Sequence, residues 1–176
     1  YENNPEEFAK RWTNGEVVHL LGKDIVRFHA IIWPCMLLSA GVKLPDKIVA
    51  HGWRISEGEK MSKSKGNVVA PLDEVAKYGL DAFRYYLLRE VTFGNDGDYS
   101  TKGVITRINS DLANDLGNLL NRTLGMYKKY FGDEIVKGGA HEEIDNEIKS
   151  LFAETLVSVD DAMSRLEFSR ALEFIW

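Results

Sequence analysis

The sequence predicts an α/β segment followed by an all-α segment. Three observations carry this expectation. Residues 17–22 (VVHLLG) and 47–53 (KIVAHGW) are short apolar runs suited to strands, with a longer apolar run between them. That strand–helix–strand order and spacing fit a βαβ unit with parallel strands. Beyond residue 105 the apolar residues instead recur every three or four positions, the period of an amphipathic helix.

Each element has a local reason. The first strand ends in Gly22. A helix is expected over residues 24–40, kinked at Pro34, with Gly41 as the left-handed residue after its last turn. Cys35, inside WPCMLL, is expected to pack in the core. The lysine- and serine-rich stretch 56–67 reads as a loop. Two short helices follow Pro71, over 72–78 and 81–90, the second capped by Asp81. Residues 94–98 (GNDGD) read as a turn, and Ser100 or Thr101 is placed to cap the next helix. Ile108, Leu112, Leu116, Leu119, Leu120, Thr123 and Tyr127 form one stripe of a long helix, with Asp111, Asp115, Asn118 and Arg122 opposite. Gly132, Gly138 and Gly139 break it. Ile144, Ile148, Leu151, Thr155, Val159 and Met163 mark a second helix, and Phe168, Ala171, Leu172 and Ile175 a third. This half reads as an incomplete helical bundle.

Composition narrows the function classes. Hydrophobic residues make up 44% and charged residues 28%, an ordinary globular balance. No apolar run reaches the ~20 residues of a membrane span. One cysteine excludes an internal disulfide framework and a cysteine-rich zinc site. The net charge of −5 argues against a generally basic nucleic-acid binder, so any polyanion contact must come from placed residues.

The segment richest in chemistry is 58–67 (GEKMSKSKGN). Lys60, Lys63 and Lys65 lie within six residues, with Ser62 and Ser64 between them and a glycine on each side. Closely set ammonium groups and hydroxyls suit a polyphosphate. The string is not a Walker A loop, because Lys63 stands five residues after Gly58 where that pattern requires glycine. By composition alone such a stretch is also an ordinary solvated turn.

The KMSKS string at 60–64 resembles the signature loop of class I aminoacyl-tRNA synthetases, and its continuation SKGNVVAPLDEVAKYGLDAFRYYLL resembles the subgroup for aliphatic and sulfur amino acids. HLLGKDIVRFHAIIWPCML and SDLANDLGNLLNR are similar to the methionyl members. The resemblance covers nearly the whole chain, fading in the first dozen residues and between about 131 and 158.

The resemblance implies a division of labour. Residues 1–55 would be the C-terminal half of a Rossmann-type catalytic domain, 56–105 the KMSKS loop with a stem-contact-type connective region, and 106–176 the start of an anticodon-binding bundle. It implies methionine, ATP with Mg²⁺, and tRNA(Met) as ligands, no membrane, and a cytoplasmic protein. Lys60 and Lys63 would be catalytic, contacting the phosphates of ATP together with Met61, Ser62 and Ser64, with a weaker carry-over to Lys65. Gly22 and Asp24 match positions near the ATP ribose, where a carboxylate beyond a strand end accepts from hydroxyls; alone, Asp24 reads as a helix cap. His51 and Gly52 match the adenine side, or else form a strand-end turn. His29 and Trp33 match the methionine pocket; both also suit core packing. Asn118 and Arg122, four apart on one helix face, match anticodon-reading positions, and a solvated polar face is the alternative.

The family's second ATP signature, a His-x-Gly-His string, is absent from this sequence. The zinc-bearing insertion of many members would lie upstream, so no zinc is expected on this chain, and a further anticodon-contacting tryptophan would lie downstream of Trp176. The expectation is an internal piece of a longer enzyme, inactive alone. The rival reading is a non-catalytic tRNA- or nucleotide-binding module on the same fold.

Overall fold

The computed structural model describes residues 4–56, 58–61, 64, 66–134, 136–140 and 142–176, with the Lys60 side chain left aside. The chain divides into two compact units. One comprises residues 1–54 and 94–97, the other residues 55–93 and 98–176.

In the first unit, α1 (Pro5–Phe8) starts on Asn4, whose side chain accepts the Glu7 N–H at 3.0 Å, and runs on in wide turns to Thr13. Strands β1 (Val18–Gly22) and β2 (Lys47–His51) pair in parallel, Val18 opposite Lys47 and Gly22 opposite His51. The crossover between them begins with a tight 3-10 turn, Lys23–Ile25, widens over Phe28–Ile32, and becomes the regular α2 (Trp33–Ser39). Pro34 sits in the first turn of α2. It has no N–H to give, and the expected kink takes the form of the wide turn before it, where the Trp33 N–H reaches back five residues to the Phe28 carbonyl. Gly41 takes φ +67° after the helix, as expected. The alternative reading of Asp24 as a helix cap and the expected burial of Cys35 both fail here. Asp24 lies inside the tight turn, and Gly22 occupies the capping position. Cys35 is exposed, on a face with Ile31, Ile32 and Met36 that nothing covers among the described residues of this unit.

A small sheet in the order β4–β3–β5 is built from β3 (Arg54–Ser56), β4 (Glu59–Lys60) and β5 (Gly97–Tyr99), and all of it except Arg54 and Gly97 belongs to the second unit. The sequence reading missed these strands, and part of the expected 94–98 turn belongs to β5. Helices α3 (Pro71–Tyr78) and α4 (Leu80–Arg89) meet at Gly79, whose φ of +84° suits glycine alone. Gly79 therefore holds the capping position, and Asp81 lies in the first turn instead of at the cap. Ser100 caps α5 (Thr101–Arg107) by accepting the Gly103 N–H at 3.0 Å. The helix continues in wide turns over Ile108–Gly117 into α6 (Asn118–Phe131) and stops at Gly132, φ +69°. The core is Phe83, Tyr86, Tyr99 and Val104, with Met61, Val75 and Ile108 packed against it.

Helix α7 (Glu143–Ser164) opens with a reciprocal cap between Glu142 and Asp145. Helix α8 (Phe168–Ile175) returns onto α4, where Arg89 pairs with Glu173 at 2.9 Å, and Phe168 packs against Phe93 just beyond the end of α4. The lower stripes stay uncovered, with Leu119, Leu120, Ile144 and Ile148 all more than half exposed. Asp111 is the clearest departure from the expected polar face. It is buried, accepting from the Tyr85 hydroxyl at 2.7 Å and Arg107 Nη1 at 3.2 Å, while Trp176 Nε1 donates to its carbonyl at 3.0 Å.

Glu74 is also buried, receiving hydrogen bonds from the Lys77 ammonium and the Tyr99 hydroxyl. Lys77 first, then Tyr99, holds its carboxyl below the ordinary 4.5. A lowered folded value stabilises the fold fully above the unfolded value, and that contribution is withdrawn as the pH falls through the folded one. Glu74→Gln is therefore expected to flatten the loss of stability below pH 4.5, read by urea unfolding across the acid range. An unchanged acid limb would remove Glu74 from that role.

Candidate nucleotide-binding site

In the first unit, parallel pairing puts Gly22 and His51 side by side at the C-terminal ends of two neighbouring strands, where ligands bind in open α/β sheets. The chain turns at once through Lys23–Ile25, which brings Asp24 back over the strand end. A Cβ built on Gly22 would lie 2.5 Å from Asp24 Oδ1 and 3.5 Å from His51 Cε1. The missing side chain thus makes room for the Asp24 carboxylate beside the imidazole. Gly22 has ordinary extended dihedrals, so the need is for space and not for a special backbone. Gly22→Ala is accordingly expected to displace Asp24, a flexible side chain, and weaken nucleotide binding with little change in thermal stability. Equal losses of both would contradict this.

His51 Nδ1 lies 2.9 Å from the Gly52 carbonyl. A carbonyl only accepts, so Nδ1 carries the proton and Nε2 is the acceptor of the neutral ring. Gly52 is buried, and a Cβ there would collide with the Asn95 carbonyl and lie 2.6 Å from the Asp96 nitrogen. Asp96 fixes the strand end from outside. It pairs with Lys23 and accepts the Trp53 N–H at 2.8 Å, while Lys23 Nζ sits 5.7 Å from the Trp53 ring centre. Lys23, then the Trp53 amide, holds the Asp96 carboxyl below its usual range. Sequence reasoning missed Lys23, Trp53 and Asp96. Lys23 adjoins Asp24 and Asp96 stands in the GNDGD string, but nothing in the sequence joins positions 73 residues apart.

His29 and Trp33 lie in the same unit, on the wide turn and at the start of α2. His29 meets the ring of His19 on β1, with centroids 5.5 Å apart. The indole Nε1 of Trp33 is buried without a hydrogen-bond partner among the described residues.

The KMSKS loop belongs to the second unit. Its start is fixed by Gly58, at φ +78°, whose N–H donates to Asp98 Oδ2 at 2.9 Å, and by the pairing of Ile55 with Lys60 and Ser56 with Glu59. Met61 packs against the aromatic core, which anchors the loop at its second residue. Ser64 is exposed, and Gly66 has φ +68°. Ser62, Lys63, Lys65 and the Lys60 side chain lie outside the described residues. Asn118 and Arg122 are both exposed on the first turns of α6, one turn apart. Among the described residues no three His, Cys, Asp or Glu side chains form a metal cluster, and no helix is long and apolar enough to cross a membrane.

The family profile for tRNA synthetases class I (M) matches residues 1–124, including the first dozen residues, where the sequence resemblance had faded. A methionine–tRNA ligase of Fusobacterium nucleatum is 70% identical over 176 residues, all of this chain and 28% of that protein. One from Caldanaerobacter subterraneus is 54% identical over 98% of this chain and 27% of its own. Among solved structures, Mycobacterium tuberculosis methionyl-tRNA synthetase in complex with methionyl-adenylate superposes with a TM-score of 0.89 at 42% identity, covering all of this chain and 34% of that one. Its apo form gives 0.84 at 38%. The chain thus spans about a quarter to a third of the length of these proteins.

Proposed function

Because the chain belongs to the methionine-type class I tRNA synthetases, we propose that it supplies the ATP-facing and anticodon-facing parts of a methionine–tRNA ligase. The observation that carries this reading is the convergence of Gly22, Asp24 and His51 at the ends of two parallel strands. In this reading residues 1–55 are the C-terminal half of a Rossmann-type domain, 56–105 the KMSKS loop and connective region, and 106–176 the beginning of the anticodon-binding bundle. The parent would be a cytoplasmic enzyme taking methionine, ATP and tRNA(Met).

The chemistry has two steps. A methionine carboxylate oxygen attacks the α-phosphorus of ATP, and the bond to the β-phosphate breaks, releasing pyrophosphate. A hydroxyl of the terminal adenosine of the tRNA then attacks the acyl carbon of methionyl-adenylate and displaces AMP. The first step depends on positioning and charge stabilisation. Mg²⁺ travels with the triphosphate and offsets its charge.

Asp24 accepts from the ribose hydroxyls, with Gly22 leaving the room it needs. His51 and Gly52 wall the adenine, where the acceptor Nε2 of His51 suits an exocyclic amine. Lys60 and Lys63, with Ser62 and Ser64, hold the phosphates as pyrophosphate departs, and Met61 anchors the loop that carries them. His29 and Trp33 face methionine. Asn118 and Arg122 offer an amide and a guanidinium to splayed anticodon bases, one for base edges and the other also for stacking.

Lys63→Ala tests the loop assignment. In ATP–pyrophosphate exchange by the longest native product of the gene, it is expected to depress the adenylation rate by about 100-fold or more, as when a transition-state charge partner is removed, with methionine affinity nearly unchanged. A parallel fall of both would withdraw the role.

A further inference from the structure

His19 matches none of the residues the sequence points to, yet it is packed into the proposed site. It sits on β1 on the same side as buried Leu21, while Val18 and Leu20 alternate to the other side and are 42% and 58% exposed. Its ring meets that of His29 edge-on at 80°, and the two Nδ1 atoms are 3.5 Å apart. On its other flank stands Trp12, with ring centroids 6.0 Å apart. Trp12 is itself fixed, because its Nε1–H donates to the Lys43 carbonyl at 2.9 Å. His19 is therefore held between an anchored indole and a second imidazole.

A neutral imidazole has one N–H and one acceptor nitrogen. Two Nδ1 atoms that face each other can share a hydrogen bond only if one ring is protonated at Nδ1 and the other at Nε2. The tautomer of either ring then dictates that of its partner, as a second hydrogen bond does for functional histidines generally. We infer that His19 is a positioning residue: it fixes the ring orientation and tautomer of His29, and through His29 the binding of the amino-acid substrate. This rests on the proposal that His29 faces methionine.

The test is methionine-dependent ATP–pyrophosphate exchange in the longest native product of the gene, with His19→Phe, His19→Asn, His29→Phe and the double variant His19→Phe/His29→Phe. Phenylalanine keeps a ring against Trp12 and removes the polar atoms, whereas an asparagine amide reaches the position of Nδ1. The expected result is a KM for methionine raised about 3- to 10-fold by His19→Phe, the worth of one hydrogen bond, with the KM for ATP unchanged. His19→Asn should restore most of it, and the double variant should be no worse than His29→Phe alone. A silent His19→Phe beside an impaired His29→Phe would overturn the inference alone. So would a rise in KM for both substrates, a failure of His19→Asn to restore, or additive effects. A silent His29→Phe would overturn the methionine-subsite proposal and the inference with it.

Discussion

Asp24→Ala is expected to lower kcat/KM for ATP by about 10- to 100-fold, the cost of losing a hydrogen bond to a charged group. The magnitude follows from placement. The carboxylate is exposed, lies in a tight turn beyond a parallel strand end, and is folded over Gly22 beside His51. It caps no helix, so its removal does not unravel the crossover. Asp24→Asn, which keeps one acceptor oxygen, should fall between wild type and alanine. The measurement is exchange kinetics at varied ATP, paired with thermal unfolding. A loss confined to methionine KM, or a drop in melting temperature that accounts for the loss, would remove Asp24 from the ribose.

Gly52→Ala is expected to act on the fold. The new methyl group would meet backbone, the Asn95 carbonyl and the Asp96 nitrogen, and not the yielding tip of a side chain. Overpacking of this kind costs about 1–3 kcal/mol. Relief requires residues 94–97 to move away, which loosens the hold of Asp96 on Lys23 and on the Trp53 amide. The variant should therefore be destabilised in urea unfolding and also lose ATP affinity. The contrast with Gly22→Ala is the diagnostic part, because there the obstructing atom is a carboxylate that can swing aside. Identical stability of Gly52→Ala and wild type would show that the 94–97 segment yields easily and does not brace the strand end.

Much of this architecture was legible in the sequence. The two strands, Gly41, the Ser100 cap and the stop at Gly132 follow from local chemistry, which needs only neighbouring residues. What escaped depends on distant partners. Asp111 lies on the polar side of a helical wheel, yet Tyr85, Arg107 and Trp176 enclose it. Strand β5 exists because β3 lies beside it, and three residues carry too little pattern to announce that. Asp81 looked like a cap until Gly79, with a backbone open only to glycine, took the position. Cys35 failed differently. Its apolar surroundings are real, but among the described residues of its unit nothing covers that face.

The candidate site divides in the same way. Gly22, Asp24, His51 and Gly52 were singled out by resemblance, and strand register brings them together. Lys23, Asp96 and His19 could not be singled out, because each owes its place to a contact across the fold.

The most direct test of the whole account is the amino-acid dependence of ATP–pyrophosphate exchange by the longest native product of the gene, measured beside the present chain. Exchange driven by methionine alone is expected in the longer product, and none in this chain by itself. Exchange driven by another amino acid, or no exchange in the longer product with tRNA binding retained, would contradict it.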